Sequence, residues 1–590
     1  MAASCVKPLT LLFFPVIFFC LSMASSPPRH SCTDGPVIPT TPLLSFLTKL
    51  QAAALRTYGP SNFDPKLYVD LPLKFDLSTV EQAFDELPKL GNRSIPATQL
   101  QAFLDRYMGE AGSDLVVANP PDFVTEPSGF LPKVQNEVVR KWALEVHALW
   151  KNLSRRVSDE VKKNSNLHTL LPVPGPVVVP GSRFREVYYW DSYWVIRGLL
   201  ASKMYETAKS IVDNLLSLLD EYGHVLNGAR IYYANRSQPP LLSSMILEIY
   251  KKTGDLALVK RAFPSLLKEH QFWTSGIHNL TIQDANGCIR SMSRYFAKWN
   301  QPRPEGATTD EKTASQLSTA SERDLLYREL ASTAESGWDF STRWMSNHSD
   351  LTTLATTSIL PVDLNAYILK MELDLAFFAK ILCNKSAAEK FSALSKLRKE
   401  GLDTIFWNAK KGQWFDYWTS KNATCQTSQG VHKWQEHNQN QNIFASNFIP
   451  LWIELFHSDH SRAKEVMKSL QSSGLLQPAG IATSLTNSGR QWDFPNGWAP
   501  LQHMIVEGLA RSGLTELKLL AEDIATKWIK TNYATYKKTG DMHEKFDVQE
   551  CGQFGGGGFY KPQTGFGWSN GVVLAFLEEF GWPQDRSINC

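Results

Sequence analysis

Two acidic residues stand apart from the ordinary surface charges of this chain. Asp339 lies in Ser336-Gly337-Trp338-Asp339-Phe340, among apolar or small neighbours. Such surroundings penalise the ionised form, raise the pKa and let a carboxyl hold its proton at working pH. Glu544 lies in Met542-His543-Glu544-Lys545-Phe546-Asp547, ahead of the run Gly555–Gly558. One carboxyl that gives a proton and one that takes it are what cleavage of a glycosidic bond requires. Taken alone, Asp339 could equally be the N-cap of a helix, and Glu544 a salt-bridged residue at the end of a helix or strand.

The surroundings of these residues favour a site. Pro180–Trp194 packs Arg183, Arg185, Glu186 and Asp191 among Phe184, Tyr188, Tyr189, Trp190, Tyr193 and Trp194. A core element would not carry so many charges among its rings, and a solvated face would not carry so many rings. A flat ligand covered with hydroxyls needs both: ring faces for its C–H surface and fixed charged groups for its hydroxyls. Pro180-Gly181 breaks regular structure, which places the run at a junction of loop and helix; an aromatic-rich helix start packed on the core is the plain alternative. The Trp-Asp pair recurs in Glu335–Trp344 and in Gln491–Pro500, each time beside turn residues and another tryptophan. Three such returns of the chain suggest one pocket.

Pro180–Trp194 and Gln491–Pro500 resemble the two signature motifs of the trehalase family, and the similarity is closest to its plant branch. The resemblance runs from about Pro180 to Trp582 and is weaker before about Lys133. It implies hydrolysis of α,α-trehalose to two glucose molecules by inverting single displacement. Asp339 then matches the family's general acid and Glu544 its general base. The resemblance also implies substrate contacts from Arg183, Tyr188, Trp190 and Asp191, then from Asn227, Arg236 and Gln238. Arg303, Glu305, Gly337, Trp492, Asp493 and Trp568 complete the set. These are bidentate polar groups and ring faces, the types that a polyhydroxylated ligand needs. The chain departs from the family pattern once: after the four glycines the family has Glu-Tyr, and here the pair is Phe559-Tyr560. The alternative reading is therefore a trehalose-binding protein with impaired catalysis. The three arginines also raise a phosphorylated trehalose as a minor alternative substrate.

Helical periodicity dominates the elements that must position these residues. Val138, Trp142, Val146, Leu149 and Leu153 fall on one face, as do Ala208, Ile211, Leu215, Leu218 and Tyr222, after which Gly223 can end the helix. Leu242–Lys252, ending at Gly254, and Leu256–Trp273 form a helical hairpin. The spacing predicts further helices over Thr41–Tyr58, Leu364–Leu382, Ser386–Leu402, Ser461–Leu470, Trp498–Arg511, Thr515–Trp528 and Gly571–Phe580. Strand-like alternation is sparse. Paired helices must bury one face each, and the resemblance implies that they close into an (α/α)6 barrel, an all-α toroid with its site on loops. Asn227–Pro240 reads as a loop feeding a helix that starts at the prolines. Gln301–Arg323 reads as a long polar loop, of the kind that forms lids or binding loops, or as a surface insertion. The expected division is a segment 1–25, an N-terminal extension 26–132 packing on the barrel, and a catalytic barrel 133–590.

The chain has 590 residues, 43% hydrophobic and 20% charged, with a net charge of +3 and no dense basic run, so nucleic acid is not an expected partner. Lys7, the apolar run Leu9–Ala24 and the small residues Ser22 and Ala24 have the layout of a signal peptide. The run is shorter than the roughly 20 residues of a spanning helix. An uncleaved membrane anchor is the alternative, so association with a membrane could occur through this segment. The expected location is the secretory route, ending outside the cell or on an anchor facing outward. Sequons at Asn92, Asn152, Asn235, Asn279, Asn347, Asn384 and Asn422 fit that route. Cys5 and Cys20 fall in the apolar segment; Cys32, Cys288, Cys383, Cys425, Cys551 and Cys590 form no Cys-x-x-Cys, so a bridge or two is expected rather than a zinc site. Gly567-Trp568-Ser569-Asn570-Gly571 matches the serine-hydrolase elbow, but a Gly-rich loop precedes it where the elbow needs a strand. The glycine run lacks the Lys-Ser/Thr of a phosphate loop, and Asp547 stands where a zinc-protease helix would have its second histidine. No metal and no cofactor are expected.

Overall fold

The computed structural model describes residues 37–590, apart from 62, 92 and 420–429. The segment 1–25, Cys32, Cys425 and the sequons at Asn92 and Asn422 lie outside the described residues.

Six inner helical segments form a ring in which each packs on the next: Asp191–Ala201, Leu242–Thr253, Val362–Ile381, Ala445–Trp452, Ala499–Arg511 and Gly567–Phe580. Gly567–Phe580 returns to Asp191–Ala201 and closes the ring. An outer helix precedes each inner one in the chain: Glu137–Leu153, Tyr205–Tyr222, Leu256–Thr274, Lys385–Gly401, His460–Ser472 and Thr515–Thr539. This is the (α/α)6 barrel. The two layers differ as their positions demand. Val362–Ile381 and Gly567–Phe580 are buried on nearly every side, and their apolar residues run round the whole helix. The outer helices carry a single apolar stripe. The closing contact is close enough to need glycines. A Cβ on Gly571 would lie 2.0 Å from the Trp194 carbonyl oxygen, and one on Gly198 would lie 2.5 Å from Gly571 Cα.

The expected helices are present, with shifted ends. Gly223 and Gly254 take the left-handed conformation and stop their helices. The stripe on Glu137–Leu153 is turned from the one expected: Val139, Ala143, His147 and Trp150 are buried with Trp142 and Val146, while Val138 is 53% exposed. The helix starting at Thr515 runs on to Thr539. The loop Asn227–Pro240 feeds a helix that begins at Leu242, just past its prolines. Gln301–Arg323 is not a structureless loop. A 3-10 turn at Pro304–Gly306 leads into the helix Ala307–Ala314, and Ala320–Glu335 begins with a capping box of Thr319 and Glu322. Among the described residues, strands are two to five residues long and occur in six small sheets.

Before the barrel, helices Pro42–Tyr58, Pro65–Val69, Leu77–Asp85 and Ala97–Tyr107 pack against one another, and the first two also pack against Pro304–Ala314. Gln51 stitches the two together. Its amide donates to the carbonyls of Pro65 (2.8 Å) and Pro304 (2.9 Å), and its oxygen accepts from Thr308 N–H (3.1 Å). Cys551 and Cys590 form a disulfide that ties the C-terminus to the loop before the glycine run.

Candidate active site

One cavity gathers the loops at one end of the ring. Its wall includes Arg183, Tyr188, Trp190, Asp191, Asn227, Arg236, Gln238, Arg303, Glu305, Gly337, Asp339, Trp492, Glu544 and Trp568, all expected from the sequence. Residues 180–190 descend into the first turn of the helix Asp191–Ala201, so Asp191 and Trp190 reach the cavity from a helix start. The stretch divides its charges. Arg183 and Asp191 face the cavity, whereas Glu186 points into a buried cluster with Lys66 (2.9 Å) and Arg230 (2.7 Å). Asn227 and Arg236 hold each other through Arg236 Nε to Asn227 Oδ1 (3.2 Å), and Asn227 N–H donates to the Arg236 carbonyl (3.0 Å). Gln238 accepts from Trp190 N–H (3.1 Å), which joins this loop to the first.

Each of the three arginines arrives paired. Arg183 donates from Nε and Nη2 to Asp64 (2.8 and 2.7 Å), and Arg303 likewise to Asp310 (2.9 and 2.7 Å). Arg236 donates to Glu305. All three are charge-assisted, and those of Arg183 and Arg303 are forked. They hold the guanidinium planes while leaving N–H groups for a ligand.

The tryptophans form the floor. Trp338, Trp492 and Trp498 stack in sequence, with centroid distances of 5.4 and 3.9 Å. Trp190 and Trp568 meet Trp492 at 5.7 and 6.5 Å. Gly337 has φ of +77°, and a Cβ there would lie 2.7 Å from the Trp190 ring. A glycine is required both for the turn and for the contact.

Asp339 caps no helix. The next helical turn, Thr342–Trp344, is capped by Ser341, whose hydroxyl accepts from Arg343 N–H. Asp339 lies in the cavity wall, where burial pushes its carboxyl up to about 6 against the opposing charge of Arg303. Glu544 precedes the short strand Phe546–Asp547, which pairs with Asn496–Gly497. It is no surface salt bridge. It is 2% exposed, and both its oxygens are occupied: Oε1 accepts from Tyr560 OH (2.6 Å) and Oε2 from Gln563 N–H (3.2 Å). Asp191 is a third carboxyl in the wall. Burial, with the charges of Glu544 and Asp339, raises it to about 8.

Asp493 is the exception among the expected contacts. It does not line the cavity. Its carboxylate is fully buried and accepts from Ser341 Oγ (2.9 Å), Thr342 N–H (2.9 Å), Ser484 Oγ (3.0 Å) and Ser488 Oγ (2.6 Å). It has no acceptor capacity left for a ligand and instead fixes the turn after Asp339. Phe559 stands at the cavity rim, 54% exposed and edge-on to Phe340 at 5.8 Å. Ser569 lies in the first turn of Gly567–Phe580, and its hydroxyl donates to the His543 carbonyl, so the elbow-like pattern is a helix start.

The structure adds residues that the sequence did not single out. Gln491 donates to the Asp339 carbonyl and accepts from Lys545 Nζ (3.0 Å), linking the two carboxyl-bearing loops. Tyr560 holds Glu544, and Asp64 holds Arg183. Tyr560 could have been noticed beside Phe559; Asp64 carries no local signal.

A ring of helical hairpins around a tryptophan-floored cavity lined by paired arginines and carboxyls is the build of a glycoside hydrolase. Residues 60–581 match the family model described as trehalase. The chain belongs to the trehalase family. It is 60% identical over 556 residues to a probable trehalase of Oryza sativa subsp. japonica, covering 93% of this chain and 97% of that protein. It is 55% identical over 561 residues to a trehalase of Arabidopsis thaliana, covering 94% of this chain and 89% of that protein. The solved structure of the neutral trehalase Nth1 from Saccharomyces cerevisiae superposes with a TM-score of 0.53 at 26% identity, over 69% of this chain and 73% of that one.

Proposed function

We propose that the protein hydrolyses α,α-trehalose to two glucose molecules by inverting single displacement, with Asp339 as general acid and Glu544 as general base. The observation that carries this reading is the placing of both carboxyls in one cavity, in unlike environments. Burial keeps Asp339 protonated to about pH 6, while Glu544 is held in place by hydrogen bonds from Tyr560 OH and Gln563 N–H. Asp339 then protonates the bridging oxygen. Glu544 takes a proton from the water that attacks the anomeric carbon on the opposite face. The cavity-facing groups of Arg183, Tyr188, Trp190, Asp191, Asn227, Arg236, Gln238, Arg303, Glu305, Gly337, Trp492 and Trp568 bind the sugar. The floor of rings takes its C–H faces, and the arginine forks take its hydroxyls. The relatives named trehalase support this substrate. The experiment is incubation of the purified protein with trehalose, followed by NMR of fresh product. Inversion gives one β-glucose and one α-glucose per trehalose; two α-glucose molecules would overturn it.

A phosphorylated substrate is disfavoured by the same geometry. Each arginine carries its own carboxylate partner, so the cavity offers donors without excess positive charge. The reading of a binding protein with impaired catalysis finds no support, since both carboxyls and their partners are in place. Passage through the secretory route remains our proposal from Leu9–Ala24 and the sequons, with release outside the cell or anchoring there by that segment. No described helix is long and apolar enough to cross a membrane. Asn152, Asn347 and Asn384 are exposed and could carry glycans, whereas Asn235 is buried beside Arg236. N-terminal sequencing and glycopeptide mass spectrometry of the mature protein test this; an intact Met1 with unmodified sequons would refute it.

A further inference from the structure

We infer that Asp64, which lies outside both signature stretches, is a positioning residue of the active site, acting through Arg183 on the cavity and on the residue that holds Glu544. The inference rests on the reading of Glu544 as the base.

Asp64 sits at the start of the short helix Pro65–Val69, where its Oδ1 accepts from Lys66 N–H (3.0 Å) and fixes the side chain. The same carboxylate takes both Nε and Nη2 of Arg183 in a fork. A guanidinium has five N–H donors in one plane. The fork uses two of them and thereby sets the plane, and Nη1 has no protein acceptor among the described residues. The side chain lines the cavity, so the remaining donors are available to a ligand.

The plane so fixed lies over a ring. Arg183 Cζ is 4.7 Å from the Tyr560 centroid and 5.5 Å from that of Phe184. The Tyr560 hydroxyl donates to Glu544 Oε1. A cation over a phenol face is attracted to the ring and draws electron density from it, which makes the hydroxyl a stronger donor. Asp64, Arg183, Tyr560 and Glu544 therefore form one physical chain of contacts from the N-terminal segment to the base. Without Asp64, Arg183 keeps its charge but loses its orientation. A guanidinium stays protonated in proteins with or without a paired carboxylate, so the effect of losing Asp64 is one of geometry, not of arginine ionisation. Because Asp64 is 37% exposed, the pair is no sealed core interaction, and the fold should survive its loss.

The experiment is a double-mutant cycle on steady-state glucose release from trehalose, using Asp64→Asn, Arg183→Ala and the double variant. Asparagine keeps the oxygen that caps the helix and removes the charge that holds the fork. The expected result is a loss of at least about tenfold in kcat/KM for D64N, at a melting temperature close to that of the unmodified protein. In the Arg183→Ala background the same change should cost less than about threefold, because its route to the site is gone. Equal losses in both backgrounds would show a merely structural role and overturn the inference, as would an unchanged kcat/KM in D64N. Should D64N fold poorly, Asp64→Glu in the same cycle keeps the charge but displaces the fork, and the same coupling is expected. An unmodified protein that releases no glucose would instead refute the proposed function.

Discussion

If Asp339 is the general acid, as proposed, it sets the working pH. Its protonated form is the acid, and its carboxyl titrates near about 6 because burial outweighs the pull of Arg303. Activity should therefore fall as pH rises through that value. The expected profile of kcat/KM, which reports the free enzyme, has a descending limb near pH 6; a profile flat to pH 8 would exclude Asp339 as the proton donor. Replacing a positioned acid or base typically loses about 10²–10⁴-fold in rate. Asp339→Asn and Glu544→Gln should each lose at least that in kcat while circular dichroism stays unchanged, and full activity in either would refute its role. Phe559 poses the opposite question. It stands half-exposed at the rim, at the position where the family resemblance implies a glutamate, and it offers a ring face but no acceptor. An unpaired polar group costs about 1–3 kcal/mol when buried, and partial exposure keeps the effect at the low end. Phe559→Glu should raise kcat/KM for trehalose by about tenfold. Equal rates would mean that the bonds to Glu544 from Tyr560 and Gln563 already suffice.

At the scale of elements, ring closure depends on two glycines. Gly198 and Gly571 let the first and last inner helices touch backbone to backbone. Backbone cannot move aside as a flexible side chain does, so a methyl group must part the helices. Gly571→Ala should destabilise by about 1–3 kcal/mol, seen as a lower denaturation midpoint, and an unshifted midpoint would mean that the contact is looser than described. The outer helices were legible in the sequence because a one-sided apolar stripe repeats at the helical period. The inner ring was less so. Ala445–Trp452, its fourth member, is a 3-10 segment with Pro450 inside it, too short and too apolar to show a period. Ala307–Ala314 and the start of Ala320–Glu335 hid in a polar stretch because they gain stability from docking against Pro42–Tyr58 and from a capping box, not from an apolar face. The site residues on the signature stretches were legible as residue types. Their partners were not: Asp64 meets Arg183 from 119 residues away, and nothing local marks it. Asp493 shows the converse. Its motif was legible, but only its five hydroxyl and amide donors reveal that it shapes a turn away from the cavity wall.

At the scale of the whole molecule, the N-terminal segment is joined to the barrel by buried charge. Lys66 is 1% exposed and donates to Asp70 (2.7 Å), Glu186 (3.1 Å) and Tyr232 OH (3.0 Å). Arg230, fully buried, pairs with Glu186 at 2.7 Å and with Asp114 at 3.3 Å. Burial alone would raise Asp70, but Arg230 and Lys66 outweigh it and hold that carboxyl low. Two cations thus neutralise carboxylates drawn from the N-terminal segment and from the stretch that carries Arg183 and Tyr188. Taking such charges out of water is expensive, and the cluster is tolerable only while every member is paired. Lys66→Met keeps the length of the side chain and removes its charge, leaving Asp70 and Glu186 to share Arg230, with only the more distant Arg185 (3.9 Å from Asp70) to help. Breaking a buried pair in this way costs about 3–5 kcal/mol. The denaturation midpoint should fall accordingly. Activity should be lost in the same transition, because Glu186 is three residues from Arg183 and two from Tyr188. If the N-terminal segment were an independent unit, Lys66→Met would melt it separately and leave glucose release intact up to a second, higher transition. A single cooperative transition followed by near-ultraviolet dichroism and by residual activity is the expected result, and two separated transitions would show that the barrel does not need its N-terminal partner.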